Sequence, residues 1–169
     1  MYDVIRDARP SDARRFEEIR VGGWKTAYAG LVDADFLASY DVDDARVAER
    51  EQWLADLPAQ HVMLVAEIAG EVAGGAILTP ARDDDAPEAA ELLALYIDPA
   101  RRSHGIGTAL LDAGFDRMPQ PAQVLWVLEG NASARRFYER HGFATDGATK
   151  EHHSPGNPVE VRYRRLRLG

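Results

Sequence analysis

The chain has 169 residues, 46% of them hydrophobic and 28% charged, with a formal net charge of −8; this is globular usage on a length that one core can fill, so residues 1–169 read as a single domain. It contains no cysteine, which excludes a disulfide framework and a thiolate nucleophile, and the acidic balance argues against nucleic acid as main partner and leans toward a cationic substrate. No apolar run approaches membrane-spanning length and residues 1–20 are charged rather than signal-like, so the expectation is a cytoplasmic protein with no membrane partner.

Residues 1–8 predict a short first strand. Ser11 is placed to cap a helix with Phe16, Ile19 and Val21 on one side, interrupted at Gly22-Gly23. Trp24 to Leu31 continues into a less regular segment; Phe36, Leu37 and Tyr40 suggest a short helical turn, and residues 45–57 a further helix. Residues 61–68 and 71–78 are strand-like apolar runs joined by Ala69-Gly70, the pattern of an antiparallel hairpin. Residues 79–90, with Pro80, Asp83-Asp84-Asp85 and Pro87, read as a loop. Leu92 to Ile97 is an apolar run closed by Asp98-Pro99, and a basic turn with two glycines, Arg102 to Gly107, leads into an amphipathic helix opening at Thr108. Val124 to Leu128 reads as another strand. Asn131 is a good N-cap for a helix that sets Ala134, Phe137, Tyr138 and His141 on one face and stops at Gly142. Residues 143–149 and 159–168 read as two last strands around a polar connection, residues 150–158. Strands alternating with helices in this way build an α/β sheet with helices on both faces.

The strand, turn and helix start around residues 92–110 have the parts of a phosphate cradle. Glycine lets backbone N–H groups approach an anion, and the first helical turn adds unpaired donors and the positive end of the dipole. No lysine follows these glycines as a P-loop requires, and the third glycine of a dinucleotide fingerprint would fall on Leu110. What remains is Arg102-x-x-Gly105-x-Gly107, which resembles the Gln/Arg-x-x-Gly-x-Gly/Ala signature of the GNAT superfamily of N-acetyltransferases. Taken alone, the same residues equally suit a tight connection whose glycines serve packing. Asn131-x-x-Ala134-x-x-Phe137-Tyr138-x-x-x-Gly142-Phe143 is similar to the second block of that superfamily, in the same order and at a matching distance. The resemblance is tight over residues 90–143. More loosely, Trp24…Tyr28-x-Gly30 and Arg162-Tyr163-Arg164-Arg165 look like its bacterial small-molecule branch.

The resemblance implies a three-layer GNAT-like fold: a mixed sheet of six to seven strands whose central parallel strands, ending near Ile97 and Leu128, splay to admit pantetheine. It implies acetyl-CoA as co-substrate, no metal, and direct transfer of the acetyl group to a primary amine without an acyl-enzyme. A small-molecule amine acceptor is favoured over a protein. The competing class is a non-catalytic CoA-binding sensor or interaction module, which would need the same cradle. Backbone N–H groups of Leu95, Tyr96 and Ile97 are expected to pair with pantetheine, one of them polarising the thioester. Ser103, His104, Gly105, Ile106, Gly107 and Thr108 would hold the pyrophosphate, with Arg102 at the entrance and Asn131 reaching the pantetheine arm. Tyr138 stands where the family often carries the general acid for the departing thiolate, and a phenol with an ordinary pKa near ~10 is protonated at neutral pH. Glu91, eleven positions before Arg102, is where the histone-acetylating branch carries a catalytic glutamate. It reads either as that base or as a solvated residue closing an acidic loop. The branch that acetylates protein amino termini has its glutamate on the next strand, where this chain has Trp126.

Other residues divide between two readings. Trp24 and Tyr28 either line the acceptor pocket or pack in the core, and Phe137 reads as core. His152-His153 reads as an exposed turn, since neighbours in a strand face opposite ways and no third ligand accompanies them. His104 would contribute its backbone rather than its ring. Asp83-Asp84-Asp85 reads as a solvated loop and only secondarily as a lure for cations. The acceptor's identity, and the choice between monomer and homodimer, stay open at this point.

Overall fold

Apolar side chains alternate between two faces along the hairpin of residues 62–80, and that alternation decides where the helices go. The computed structural model describes residues 1–102, 104–154 and 156–167. Its strands are β1 (Val4–Asp7), β2 (Val62–Ile68), β3 (Glu71–Pro80), β4 (Ala89–Ile97), β5 (Ala122–Leu128), β6 (Ala144–Glu151) and β7 (Val159–Leu166). They form one sheet of seven strands in the order β1-β2-β3-β4-β5-β7-β6. Only the neighbours β4 and β5 run parallel; the other pairs are antiparallel. The helices are α1 (Ala13–Ala27), α2 (Ala34–Ser39), α3 (Asp44–Ala55), α4 (Ile106–Asp116) and α5 (Ala132–Arg140).

Leu64, Ala66, Ala76 and Leu78 share a core with Ile106, Leu110, Leu111 and Phe115 of α4, and Ala134, Phe137 and Tyr138 of α5 pack against its edge. Met63 and Ile77, from the alternate positions, pack instead with Ala13 and Phe16 of α1 and Val47 and Leu54 of α3. Fully burying one such large side chain contributes about 1.5–3 kcal/mol, so α4 is held by its packed face rather than by helix propensity. Between β2 and β3, Ala69 and Gly70 have φ of 53° and 78°, the pair of left-handed residues that lets a two-residue turn follow the twist of a hairpin.

Four sequence expectations change. Ser11 does not cap α1: it lies in a single tight turn, Pro10–Asp12, and it is Asp12 that precedes the helix. The Asp12 carboxylate accepts from the Arg6 guanidinium and from the Arg9 amide, each at 2.7 Å, which ties β1 to the helix start. Gly22-Gly23 does not interrupt α1, because a close approach to β4 uses it: a Cβ on Gly23 would sit 3.2 Å from the Tyr96 ring. Residues 79–90 are shorter as a loop than expected, with β3 running to Pro80 and β4 starting at Ala89. Nor are the acids of that loop simply solvated. Buried Arg162 on β7 holds Asp85 at 2.6 and 2.8 Å, reaches Asp146 at 2.7 Å and Asp83 at 3.2 Å, and these carboxylates push its pKa further up. Asp83 also accepts from the Trp126 indole at 2.9 Å, so the loop is stapled over β5 and β7. Leu168, expected at the end of the last strand, lies outside the described residues.

The parallel pair positions the site. β4 and β5 are paired only from Ala89 to Leu92 against Ala122 to Leu125. Beyond that point β4 stays paired with β3 as far as Ile97, and β5 with β7 as far as Leu128. Where they part, Leu78 lies opposite Leu92 while Ile77 lies opposite Ala94, leaving Leu93 as an extra residue. A bulge of this kind bends its strand, and here it turns β4 away from β5.

Candidate active site

The V between the diverging strands opens into a cleft of about 860 Å³. One side is built from β4, the turn into α4 and the start of α5; the other from the end of α1, β5, and residues around the β6–β7 connection.

The first side is rich in unpaired donors. Asp98 donates its N–H to Ala73 O at 2.9 Å across the β3 edge, and N–H directions alternate along a strand. The N–H of Tyr96 therefore points to β3, and those of Leu95 and Ile97 point to the open edge. This corrects the expectation that Tyr96 offers its amide to the cleft; its ring instead lies under α1, edge-on to Phe16 at 6.2 Å, where burial raises its pKa. After the strand, Gly105 takes φ 74° as the residue before α4, a left-handed conformation that glycine adopts without strain. The following amides of Ile106, Gly107 and Thr108 belong to the first helical turn and lack intrahelical acceptors. Arg101, Arg102 and Arg140 line this side, and none has a carboxylate partner among the described residues. Ser103 lies outside the described residues. The His104 ring folds back on the turn, with Nδ1 2.8 Å from Arg102 O.

α5 closes this side. Asn131 caps the helix, its Oδ1 accepting from Ala134 N at 3.1 Å, and it also lines the cleft. His141 Nδ1 lies 2.8 Å from Phe137 O and its Nε2 lies 3.0 Å from Thr108 Oγ1. A carbonyl can only accept, so Nδ1 carries the proton and Thr108 donates to Nε2. That bond fixes the end of α5 to the first turn of α4. Phe137, read as core from the sequence, packs against that core and also meets the anion turn, 3.4 Å from where a Cβ on Gly107 would be.

Tyr138 is half-buried, set edge-on to Phe137 at 5.3 Å and to Phe143 at 6.0 Å, and it lines the cleft. Burial raises its phenol pKa, keeping the proton on. Its hydroxyl has no protein hydrogen-bond partner among the described residues and is not sealed in the core.

The opposite side is aromatic and carries two ionisable groups that sequence reasoning missed. Trp24 and Tyr28 stack at 3.9 Å, and both line the cleft, so they serve pocket and packing together. His152 is not in an exposed turn: its ring is 5.6 Å from Trp24 and 6.0 Å from Tyr28, with Nδ1 3.0 Å from Ser154 Oγ. Glu160 on β7 has a side chain only 14% exposed; its one salt-bridge partner among the described residues is Lys150, 3.9 Å away, and its carboxylate accepts no hydrogen bond there. Burial chiefly, with the Tyr96 and Glu160 charges, raises the Tyr28 pKa. Trp126 is the floor on this side, with the Lys150 ammonium 4.1 Å above its ring. Nothing local marks Glu160 or His152 in the sequence; β5–β7 pairing, which sets Glu160 opposite Leu128, brings them in.

Glu91 is not brought to the cleft. It is 2% exposed and its carboxylate is taken by Arg82, through Nη2 at 2.7 Å, Nε at 3.1 Å and the backbone amide at 3.2 Å. It sits on the stretch where β4 and β5 are still paired. Neither of its sequence readings, free base or solvated loop residue, describes this position.

Comparison with known proteins agrees with this geometry. Residues 26–143 match the model of the acetyltransferase (GNAT) family. A probable N-acetyltransferase of Mycobacterium tuberculosis is 28% identical over 151 residues, covering 86% of this chain and 82% of that protein. The PaiA N-acetyltransferase of Thermoplasma acidophilum, solved with coenzyme A, superposes with a TM-score of 0.71 at 22% identity, over 94% of this chain and 96% of that one. The yncA protein of Salmonella typhimurium, solved with its cofactor acetyl-CoA, gives 0.68 at 23% identity, over 96% and 92%. With the family model covering well over half of its length and the splayed parallel strands in place, this chain belongs to the GNAT family and is an acetyltransferase.

Proposed function

We propose that the protein transfers an acetyl group from acetyl-CoA directly to the primary amine of a small molecule. The observation that carries this reading is the V between β4 and β5, with amide donors on one side and an aromatic pocket holding Glu160 and His152 on the other. Pantetheine would lie along the open edge of β4, paired with the amides of Leu95 and Ile97. The pyrophosphate would sit on the amides of residues 105–108, with Arg101 and Arg102 adding charge that glycine amides alone do not supply. That the N-acetyltransferase and the acetyl-CoA-bound protein above share this fold supports the donor's identity.

The acceptor reaches the cleft as an ammonium and must lose a proton before it attacks. Glu160 is suited to attract it, and Glu160 and His152 are the groups on that side able to take the proton, directly or through water. The amine nitrogen then bonds to the thioester carbon and the C–S bond breaks. An N–H of β4 stabilises the carbonyl oxygen as charge builds there, and Tyr138 gives its proton to the departing thiolate. With no cysteine in the chain, attack by the amine itself is the simplest route.

The test is a thiol-release assay with acetyl-CoA across a panel of small amines and amino-terminal peptides, beside calorimetry with CoA. Turnover on a small amine supports the proposal. Tight CoA binding with no turnover on any acceptor would favour a CoA sensor, and turnover on peptides alone would move the acceptor to protein.

A further inference from the structure

Outside the cleft, α1 and α3 leave a second pocket of about 470 Å³ against the face of β3 and β4, and it shares Leu93, Ala94 and Tyr96 with the cleft. Its character is opposite to that of the acidic chain around it. Three guanidinium groups, Arg20, Arg46 and Arg50, line it, against one carboxylate on the rim, Glu49. The other nearby carboxylate, Glu17, is fully buried and already shared: Oε2 takes Arg20 Nε at 2.8 Å and Oε1 takes Arg50 Nε at 3.1 Å.

That sharing holds Arg50 while leaving its two Nη groups without protein acceptors among the described residues. The guanidinium carbon lies 5.1 Å from the Phe16 ring centre and 5.9 Å from that of Trp53. Packed between two rings, it is oriented before any ligand arrives, and an oriented guanidinium fork suits a carboxylate. Arg46 is exposed and makes no ion pair among the described residues. On the wall beside Trp53, the His61 Nδ1 atom is buried with no hydrogen-bond partner. A buried polar atom without a partner costs stability unless something satisfies it.

Resting on the acetyltransferase reading above, the geometry points to this pocket as a subsite for an anionic group on the acceptor. Its β4 wall continues into the cleft where Glu160 awaits the ammonium. The acceptor is then an amine that carries a carboxylate at the far end of an apolar body lying along Leu93 and Ala94, of the ω-amino-acid class. Overall negative charge would by itself suggest a cationic acceptor; the local cluster assigns it both charges.

The experiment compares kcat/KM for ω-amino acids with those for their amides and for the matching amines lacking the carboxylate. It uses the parent protein and the variants Arg46→Gln and His61→Leu. The acid should be preferred over its amide by at least about tenfold, the scale of a charge-assisted contact. In Arg46→Gln that preference should fall but stay above unity, because Arg50 keeps its fork, with the loss appearing in KM for the acid. Thermal unfolding of both variants separates loss of the contact from loss of the fold. If amines are acetylated with no preference for the acid, and neither variant changes the ratio, the subsite is wrong while the acetyltransferase reading stands. If no amine is acetylated at all, it is that reading which fails.

Discussion

Replacing Tyr138 by Phe removes one oxygen, the one we propose gives its proton to the departing thiolate. The ring keeps its edge-on contacts with Phe137 and Phe143, and the hydroxyl gives up no protein hydrogen bond among the described residues. Folding stability should therefore change by less than about 1 kcal/mol, and CoA affinity should hold, because the pyrophosphate turn is elsewhere. A positioned general acid is worth about 10²–10⁴ in rate. Burial raises the pKa of this phenol, which makes it a weaker donor, so the lower end applies: a fall in kcat of about 10², or roughly 2.7 kcal/mol of barrier. The sign of the pH dependence follows. The protonated form is the active one and its pKa lies above the ordinary phenol value of about 10, so the parent's kcat should show no tyrosine limb below about pH 10. Thiol release as a function of pH, with calorimetry for CoA, reads all of this. A kcat within about threefold of the parent, or a loss that appears in CoA affinity instead, would remove Tyr138 as the acid.

Glu91→Gln should lower stability and spare turnover: the charge facing Arg82 is lost, but Arg82 is 64% exposed, so the cost is about 1–2 kcal/mol and a few degrees in Tm. A large fall in kcat with a changed pH profile would restore Glu91 as the base. Glu160→Gln should reduce kcat/KM by about 10- to 100-fold while leaving the fold intact, since no described residue hydrogen-bonds to its carboxylate; unchanged kinetics would clear it of any role. Gly74→Ala should lower Tm, because its Cβ would meet Ile97 Cδ1 at 2.7 Å and Tyr96 O at 3.0 Å, and overpacking of this kind costs about 1–3 kcal/mol. Arg162→Met should destabilise by about 3 kcal/mol or more, because it takes the guanidinium partner from Asp83 and Asp146, whose side chains are only 22% and 21% exposed; a change below about 1 kcal/mol would mean that water replaces the guanidinium.

What could be read from the sequence was what neighbours along the chain decide. Gly105, Asn131 and Gly142 act within a turn of themselves, and their spacing announced the turn into α4 and both ends of α5. The helix through Gly22-Gly23 was missed because its reason, the Tyr96 ring, lies on another element. Arg162 and its acids are separated by up to 79 positions, so the acidic loop looked free. Glu160 and His152 entered the cleft through strand pairing, which carries no motif. The direction of the Tyr96 amide depends on which edge of β4 faces β3, a matter of register that composition does not record. Glu91 shows the same limit from the other side: its distance from Arg102 matched a catalytic position, while Arg82, nine residues away, decided its actual role.

The claim on which the rest depends is that the open edge of β4 receives the acetyl donor. Residue-resolved amide hydrogen exchange, with and without CoA, tests it most directly. Protection should rise at Leu95 and Ile97 and over residues 105–108, with Tyr96 already protected by β3 in both states. No added protection at Leu95 and Ile97 under saturating CoA, or protection appearing at another surface, would contradict it.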